Sequence, residues 1–152
     1  MPKQSAGILL HRKTATGPEF LLVHPGGPFF KNKDAGAWSI PKGEFTDDED
    51  ALAAAKREFE EETGVTLSGD FIALKPIKQK SGKTVYAWAV EGDIDADNIT
   101  SNTFEIEWPP KSGKMASFPE VDRAAWFGFD EAVVKINPAQ VGLVEEASAI
   151  LS

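Results

Sequence analysis

The chain has no cysteine, one tyrosine and only two histidines, His11 and His24. Without cysteine there is no disulfide framework, no thiolate nucleophile and no cysteine-ligated zinc. Such a composition suits a reducing compartment, and the cytoplasm is the expected location. Long apolar runs are missing too. The amino-terminal MPKQSAGILLHRK is too short in its apolar part for a secretory signal and lacks a small-residue cleavage pattern. No segment approaches the ~20 apolar residues that a membrane-spanning helix needs. Basic charge is scarce: 16 Lys and Arg stand against 24 Asp and Glu, a formal net charge of −8. A surface of that sign does not bind a nucleic-acid backbone broadly. A small anionic ligand remains possible where a cation mediates the contact.

What is present suits one domain over residues 1–152 with an ordinary core, since 41% of the chain is hydrophobic and 26% charged. SAGILLH and EFLLVH read as two strands around the turn at Gly17-Pro18. A Gly/Pro-rich loop, HPGGPFFKNKDAGA, leads to a short extended piece, WSIP. A helix is predicted from Thr46, where Thr46 and Glu49 have capping-box spacing, to a stop at Gly64, with Leu52, Ala55 and Phe59 toward the core. FIALKPIKQ and KTVYAWAVEGDI are predicted strands, NTFEIEW a weaker one, and VDRAAWFGF runs into a helix, DEAVVKI. Asn137-Pro138 starts a last helix. The pattern predicts an α+β fold, a mixed β-sheet covered by helices.

One stretch is electrostatically odd. KREFEEETG places Glu58, Glu60, Glu61 and Glu62 in the last turn of the predicted helix, where the dipole and the unpaired carbonyls favour cations. Glu58, Glu61 and Glu62 share a face at spacings of three and four. Repulsion and dipole each cost a few tenths to about 1 kcal/mol, and Arg57 offsets only part of it. Either the cluster is a solvated acidic helix end, or a divalent cation completes it; hard oxygen ligands suit magnesium or manganese.

The surrounding residues decide between these. From Gly43 the chain reads GEFTDDEDALAAAKREFEEETGV. Gly43, Glu49, Arg57, Glu58, Glu61, Glu62 and Gly64 match in type and spacing, and the segment, residues 43–65, resembles the Nudix box. Phe59 stands where that family has Leu, Ile or Val, and it keeps the apolar face. The resemblance extends to the preceding strands, to Trp38-Ser39-Ile40-Pro41-Lys42 and to the strand ending in Trp126-Phe127. It implies an α/β/α Nudix-type sandwich and a pyrophosphohydrolase, and it looks most like the branch acting on nucleoside triphosphates. It implies that Glu58 and Glu62 ligate Mg2+, with Mn2+ as a substitute. Glu61 joins them as ligand or water activator, and Glu61 and Glu58 are the candidate bases. Arg57 orients the carboxylates with Glu49 as its ion-pair partner. Gly43 permits the turn into the box, Gly64 ends it, and the Lys42 backbone carbonyl is a further metal ligand. A fourth carboxylate is expected from the loop before the Trp126 strand; Glu120 is favoured over Glu105 and Glu107.

Several other residues have two readings each. The Lys42 ammonium either meets a phosphate or is a solvated loop charge. Lys78, with Lys80 on the same face, either holds distal phosphates or protects a sheet edge. Trp38 and Trp108 lie at loop edges, where stacking on a base competes with a core-edge role; Trp88 and Trp126 are expected in the core. Surface or loop roles are expected for His11 and His24. The substrate is expected to be a small nucleotide, first a nucleoside triphosphate. The IPKG run before the box keeps dinucleoside polyphosphates as the alternative. A non-catalytic nucleotide-sensing module and an RNA 5′-end pyrophosphohydrolase are the readings from other classes, the latter opposed by the acidic charge.

Overall fold

A computed structural model describes residues 3–79 and 81–151, so Lys80 lies outside the described residues. Strand β1 (Gln4–Thr14) turns at Gly17, whose φ of 121° suits a residue without Cβ, into antiparallel β2 (Gly17–Pro25). The two strands pair at residues 11–14 of β1, after which β2 splays away. The gap is filled by residues 39–44. Ser39 exchanges two backbone hydrogen bonds with Val23, Ile8 N–H donates to the Pro41 carbonyl at 3.1 Å, and β3 (Lys42–Glu44) pairs with residues 5–7 of β1. This wedge holds Lys42 and Gly43 between two central strands.

The remaining strands complete a seven-stranded sheet. β6 (Thr84–Glu91) runs parallel to β1, and β9 (Val121–Gly128) runs antiparallel to β2, giving the path β6-β1-β2-β9. The predicted strand FIALKPIKQ is instead two short pieces, β4 (Ile72–Ala73) and β5 (Ile77–Lys78). Pro76, which has no N–H, stands between them. NTFEIEW forms β7 (Thr103–Glu107), and its partner β8 (Met115–Pro119), not foreseen in the sequence, makes a separate two-stranded sheet with it.

Side chains alternate across the large sheet. Ala6, Ile8, Leu10, Leu21 and Val23 face helix α1 (Ala51–Thr63), which contributes Ala54, Ala55 and Phe59. Leu9, Phe20, Leu22, Val85 and Ala87 face the opposite side, against α2 (Phe129–Lys135) and α3 (Val141–Ile150). The result is the expected mixed sheet between helical layers. Asn137 caps the chain before α3 by accepting from Ala139 N–H, and Pro138 occupies the first turn.

The start of α1 differs from the predicted one. Asp50 is the N-cap, its carboxylate accepting from Ala53 N–H at 3.0 Å, while Thr46 to Glu49 form a turn outside the helix. The shift frees the Glu49 carboxylate, which a capping box would have consumed. Asp50→Ala is therefore expected to cost about 1 kcal/mol and Thr46→Ala no more than a few tenths, read by urea denaturation.

Candidate active site

Four box residues form one charge network on α1 and the turn before it. Arg57 holds Glu49 bidentately, Nε to Oε2 at 2.9 Å and Nη2 to Oε1 at 3.0 Å. Its remaining nitrogen, Nη1, donates to Glu58 Oε1 at 2.9 Å and to Glu61 Oε1 at 3.2 Å. Such a fork fixes the guanidinium plane, which in turn sets the direction of two carboxylates. Glu58 and Glu62 lie one turn apart and are each only 8% exposed. Burial pushes the Glu58 carboxyl above its ordinary value, as do the charges of Glu61 and Glu120, while Arg57 opposes the shift. Glu62 is pushed up to about 8, first by burial and then by Glu58 and Glu120; the Lys42 charge and backbone pull the other way.

Backbone contacts bring the outlying members to this cluster. Gly43 lies against Glu58 so closely that a Cβ there would sit 2.1 Å from the carboxylate. Gln140, buried at the start of α3, accepts from Ile40 N–H at 3.1 Å and from Ser39 Oγ, which steadies the segment leading into Gly43. At the other end of α1 the exposed carbonyls are met by backbone donors: Asn102 N–H to Glu61 O at 2.8 Å and Thr100 N–H to Thr63 O at 2.9 Å. Gly64, at φ 81°, returns its N–H to Glu60. The Asn102 carbonyl then accepts from Glu120 N–H at 2.8 Å, and the Glu120 carbonyl from Gly26 N–H at 2.9 Å. This relay places Glu120 near enough to act electrostatically on both Glu58 and Glu62.

Other sequence candidates fall elsewhere. Glu105 and Glu107 lie on β7 in the separate sheet, and Glu107 is engaged with the Lys111 N–H at 2.8 Å. Lys42 is half-buried beside the cluster, its ammonium pulled below the ordinary value by burial and then by Lys83. The cation near enough to act on the Lys42 ammonium is thus Lys83, which the alternation of Lys78 and Lys80 did not single out. Lys78 is exposed on β5 and lines a cavity of about 640 Å³ with Asn137, Pro138 and Ala139. Trp38 is not at an open loop edge: it is 4% exposed, packed edge-on against Phe127 and His24, with the Arg123 guanidinium over its ring. Trp88 and Trp126 are only partly buried. The two histidines are also corrected, since both are buried in strands, His11 4% and His24 0% exposed.

The donor set can be tested for a divalent cation. It is all oxygen, with carboxylates crowded against bare backbone at Gly43 and neutralised only in part by Arg57 and Lys42. That is the chemistry of a hard-cation site. Among the described residues no three such groups already converge enough to enclose an ion. Glu58 and Glu61 are turned to Arg57, and Glu62 is turned to the Lys42 backbone. The fit is one of composition and charge.

A family model of the NUDIX domain matches residues 1–146, and the chain belongs to that family. It is a hydrolase of phosphoanhydride bonds that acts on nucleoside diphosphate derivatives. Among solved structures the fold is similar to an Ap4A hydrolase of C. elegans in a binary complex, at 23% identity and a TM-score of 0.67 over 98% of this chain and 97% of that one. It is also similar to the NUDIX domain of Shewanella oneidensis NrtR complexed with ADP ribose, at 16% identity and a TM-score of 0.69 over 100% and 90%. A MutT/nudix family protein from Listeria innocua matches at 20% identity and a TM-score of 0.64 over 99% and 95%. At these identities the likeness is one of fold. No curated protein matches the chain. No helix among the described residues is long and apolar enough to cross a membrane.

Proposed function

We propose that the chain is a Mg2+-dependent pyrophosphohydrolase of nucleoside triphosphates. The observation that carries this is the pair Glu58 and Glu62, buried one turn apart, Glu58 against Gly43 and Glu62 toward the Lys42 backbone, with Glu61 and Glu120 around them. Glu58 and Glu62, joined by Glu61, Glu120 and the Lys42 carbonyl, would hold the cation. When bound, that cation offsets the repulsion between carboxylates and polyphosphate and lowers the cost of forming hydroxide from water. Glu61 or Glu58 takes the proton of the attacking water. Arg57, itself held by Glu49, keeps both in register, since one of its nitrogens reaches both. The Lys42 ammonium, with Lys83 near it, meets phosphate oxygens. No covalent intermediate on the protein is required, in keeping with the absence of cysteine.

A second reading, hydrolysis of dinucleoside polyphosphates, is favoured by the Ile40–Gly43 run IPKG and by the end-to-end likeness to the C. elegans Ap4A hydrolase. A panel of nucleoside triphosphates, oxidised triphosphates, dinucleoside polyphosphates, ADP-ribose and nucleotide sugars, with Mg2+ and 18O-labelled water, separates the two. A triphosphate turned over at least about tenfold faster in kcat/KM, with pyrophosphate released, is the expected result. A dinucleoside polyphosphate at the top of the panel installs the second reading. No turnover of any member returns the chain to a nucleotide-sensing role.

A further inference from the structure

The hairpin of β7 and β8 stands apart from the large sheet, yet both its ends are rooted in the carboxylate cluster. Asn102, just ahead of β7, donates its N–H to the Glu61 carbonyl, and β8 runs straight into Glu120. The loop after β2 leaves from the same corner, where Gly26 N–H donates to the Glu120 carbonyl. That loop then lies along one face of the hairpin. A Cβ on Gly26 would overlap the Pro119 carbonyl oxygen, and one on Gly27 would sit 2.8 Å from the Phe104 ring. Farther out, the Phe29 ring meets the Trp108 ring with centroids 5.6 Å apart and planes at 82°. The Trp108 backbone is fixed as well, its N–H extending the hairpin ladder to the Lys114 carbonyl at 2.9 Å.

These rings are held but not covered. Phe29 is 62% exposed and Phe30 37%, while Trp108 is half-buried. Exposed aromatic side chains grouped in this way mark a contact surface. Two rings at right angles form a corner, in which a flat ligand lies on one and turns its edge to the other. The charge around them narrows the ligand. In a chain of net charge −8, residues 25–33 and 108–119 carry Lys31, Lys33, Lys111 and Lys114 and no carboxylate. Glu105 and Glu107 alternate onto the hairpin's other face, paired with Ser117 and Met115. Lys33 Nζ lies 5.5 Å from the Phe30 ring centroid. Such a surface accepts a flat, unsaturated ring joined to an anion, and a nucleotide is both. The reach also fits. Phe29 is three residues beyond Gly26, so their Cα atoms stand no more than about 11 Å apart. A ribose and its phosphates bridge a gap of that order to the carboxylates around Glu120.

We propose that Phe29 and Trp108 are specificity-determining residues: they form a corner that stacks on the base of a nucleotide whose phosphates reach the carboxylate cluster. The kinetic part rests on the reading of that cluster as a hydrolytic centre; base binding does not. The first test needs no turnover. AMP, GMP, CMP and UMP are titrated without metal into the whole protein. 15N spectra follow the Trp108 indole N–H, identified by its loss in Trp108→Phe. A base-dependent shift of that signal is expected, absent with ribose 5-phosphate and absent at the Trp88 and Trp126 indoles. No base-dependent shift overturns the proposal. A shift that instead follows protein concentration gives the corner to a second copy of the chain and overturns it as well.

In turnover, Phe29→Leu and Trp108→Leu should each raise KM for the best nucleotide of the panel about tenfold, with kcat within about threefold of wild type. Inorganic tripolyphosphate has no base, so its strength as a competitive inhibitor should be the same for wild type and both variants. An equal loss for both ligands would mean that the rings only shape the loop, and the proposal fails. Met115→Ser, at a residue as exposed as Phe29 but on the other face, should leave KM unchanged. If no nucleotide turns over, the hydrolase reading fails while the indole shifts still decide base binding. If Trp108→Leu does not fold, Phe29→Leu and the wild-type spectra decide it.

Discussion

Glu62→Gln is expected to cut turnover about 100-fold or more while making the cation-free protein more stable. The loss follows from removing one of two buried carboxylates at the proposed metal site; even outer-shell changes at metal sites cost about 10- to 100-fold. The gain in stability follows from linkage. Folding raises the Glu62 carboxyl from an ordinary 4.5 to about 8, mainly through burial. Between those values the folded chain holds a proton that the unfolded chain has released. Its contribution to stability is therefore fully present below about 4.5 and is lost as pH rises through about 8. The glutamine cannot ionise, so the variant should match wild type in acid and exceed it increasingly up to about pH 8, by a few kcal/mol at most. Added Mg2+ should close the gap by stabilising only the wild type. Urea denaturation across pH, with chelator or with Mg2+, measures all three terms. Wild-type turnover in the variant, or a variant that is less stable at alkaline pH, would remove Glu62 from its assigned place.

The sequence was most informative where one physical requirement dominated. Alternation and helical period disclosed the β1, β2, β6 and β9 strands and the apolar face of α1, because each element buries a single kind of surface. The acidic cluster was legible because its charges oppose the helix dipole, and the Arg57–Glu49 pair followed from the resemblance. What sequence could not show depended on non-local backbone pairing. Glu120 was placed near the cluster by what the resemblance implies for the loop before the Trp126 strand, yet its actual route is a chain of carbonyls and amides through Asn102 and Gly26. Nothing in those residue types announces it. The start of α1 was misplaced because Thr46 and Asp50 each offer a cap and only the fold selects Asp50. Trp38 was left between base stacking and a core-edge role because WSIP is too short for a periodicity; packing against His24 and Phe127 and pairing with Ile136 bury it. His24 did carry a signal, since Phe20, Leu22 and His24 alternate onto one buried face. A lone imidazole at a strand end nevertheless resembles a surface residue until Asp122 and Lys33 are seen on either side.

Gly43→Ala should inactivate the enzyme without unfolding it. The new Cβ would stand 2.1 Å from Cδ and Oε2 of Glu58, far inside van der Waals contact, so one of the two must move. Gly43 is held in β3 against β1 and is continuous with the segment that Gln140 grips, so the backbone is the stiffer partner. Glu58 is the free end of a side chain and can turn about its own torsions. The carboxylate would leave its 2.9 Å bond to Arg57 and the face it shares with Glu62. A misplacement of about 1 Å in a reacting constellation costs about 100-fold, and that is the expected fall in kcat/KM, with Mg2+ affinity weakened as well. Stability should change by no more than about 1–2 kcal/mol, because Glu58 is already disfavoured by burial and by Glu61. Gly142→Ala is the matched control: it lies in α3 with open space around it, so activity should be unchanged and stability should rise by a few tenths to about 1 kcal/mol. Should Gly43→Ala turn over like wild type, the position of Glu58 against that glycine has no part in the chemistry. The box would then owe its glycine to the turn alone.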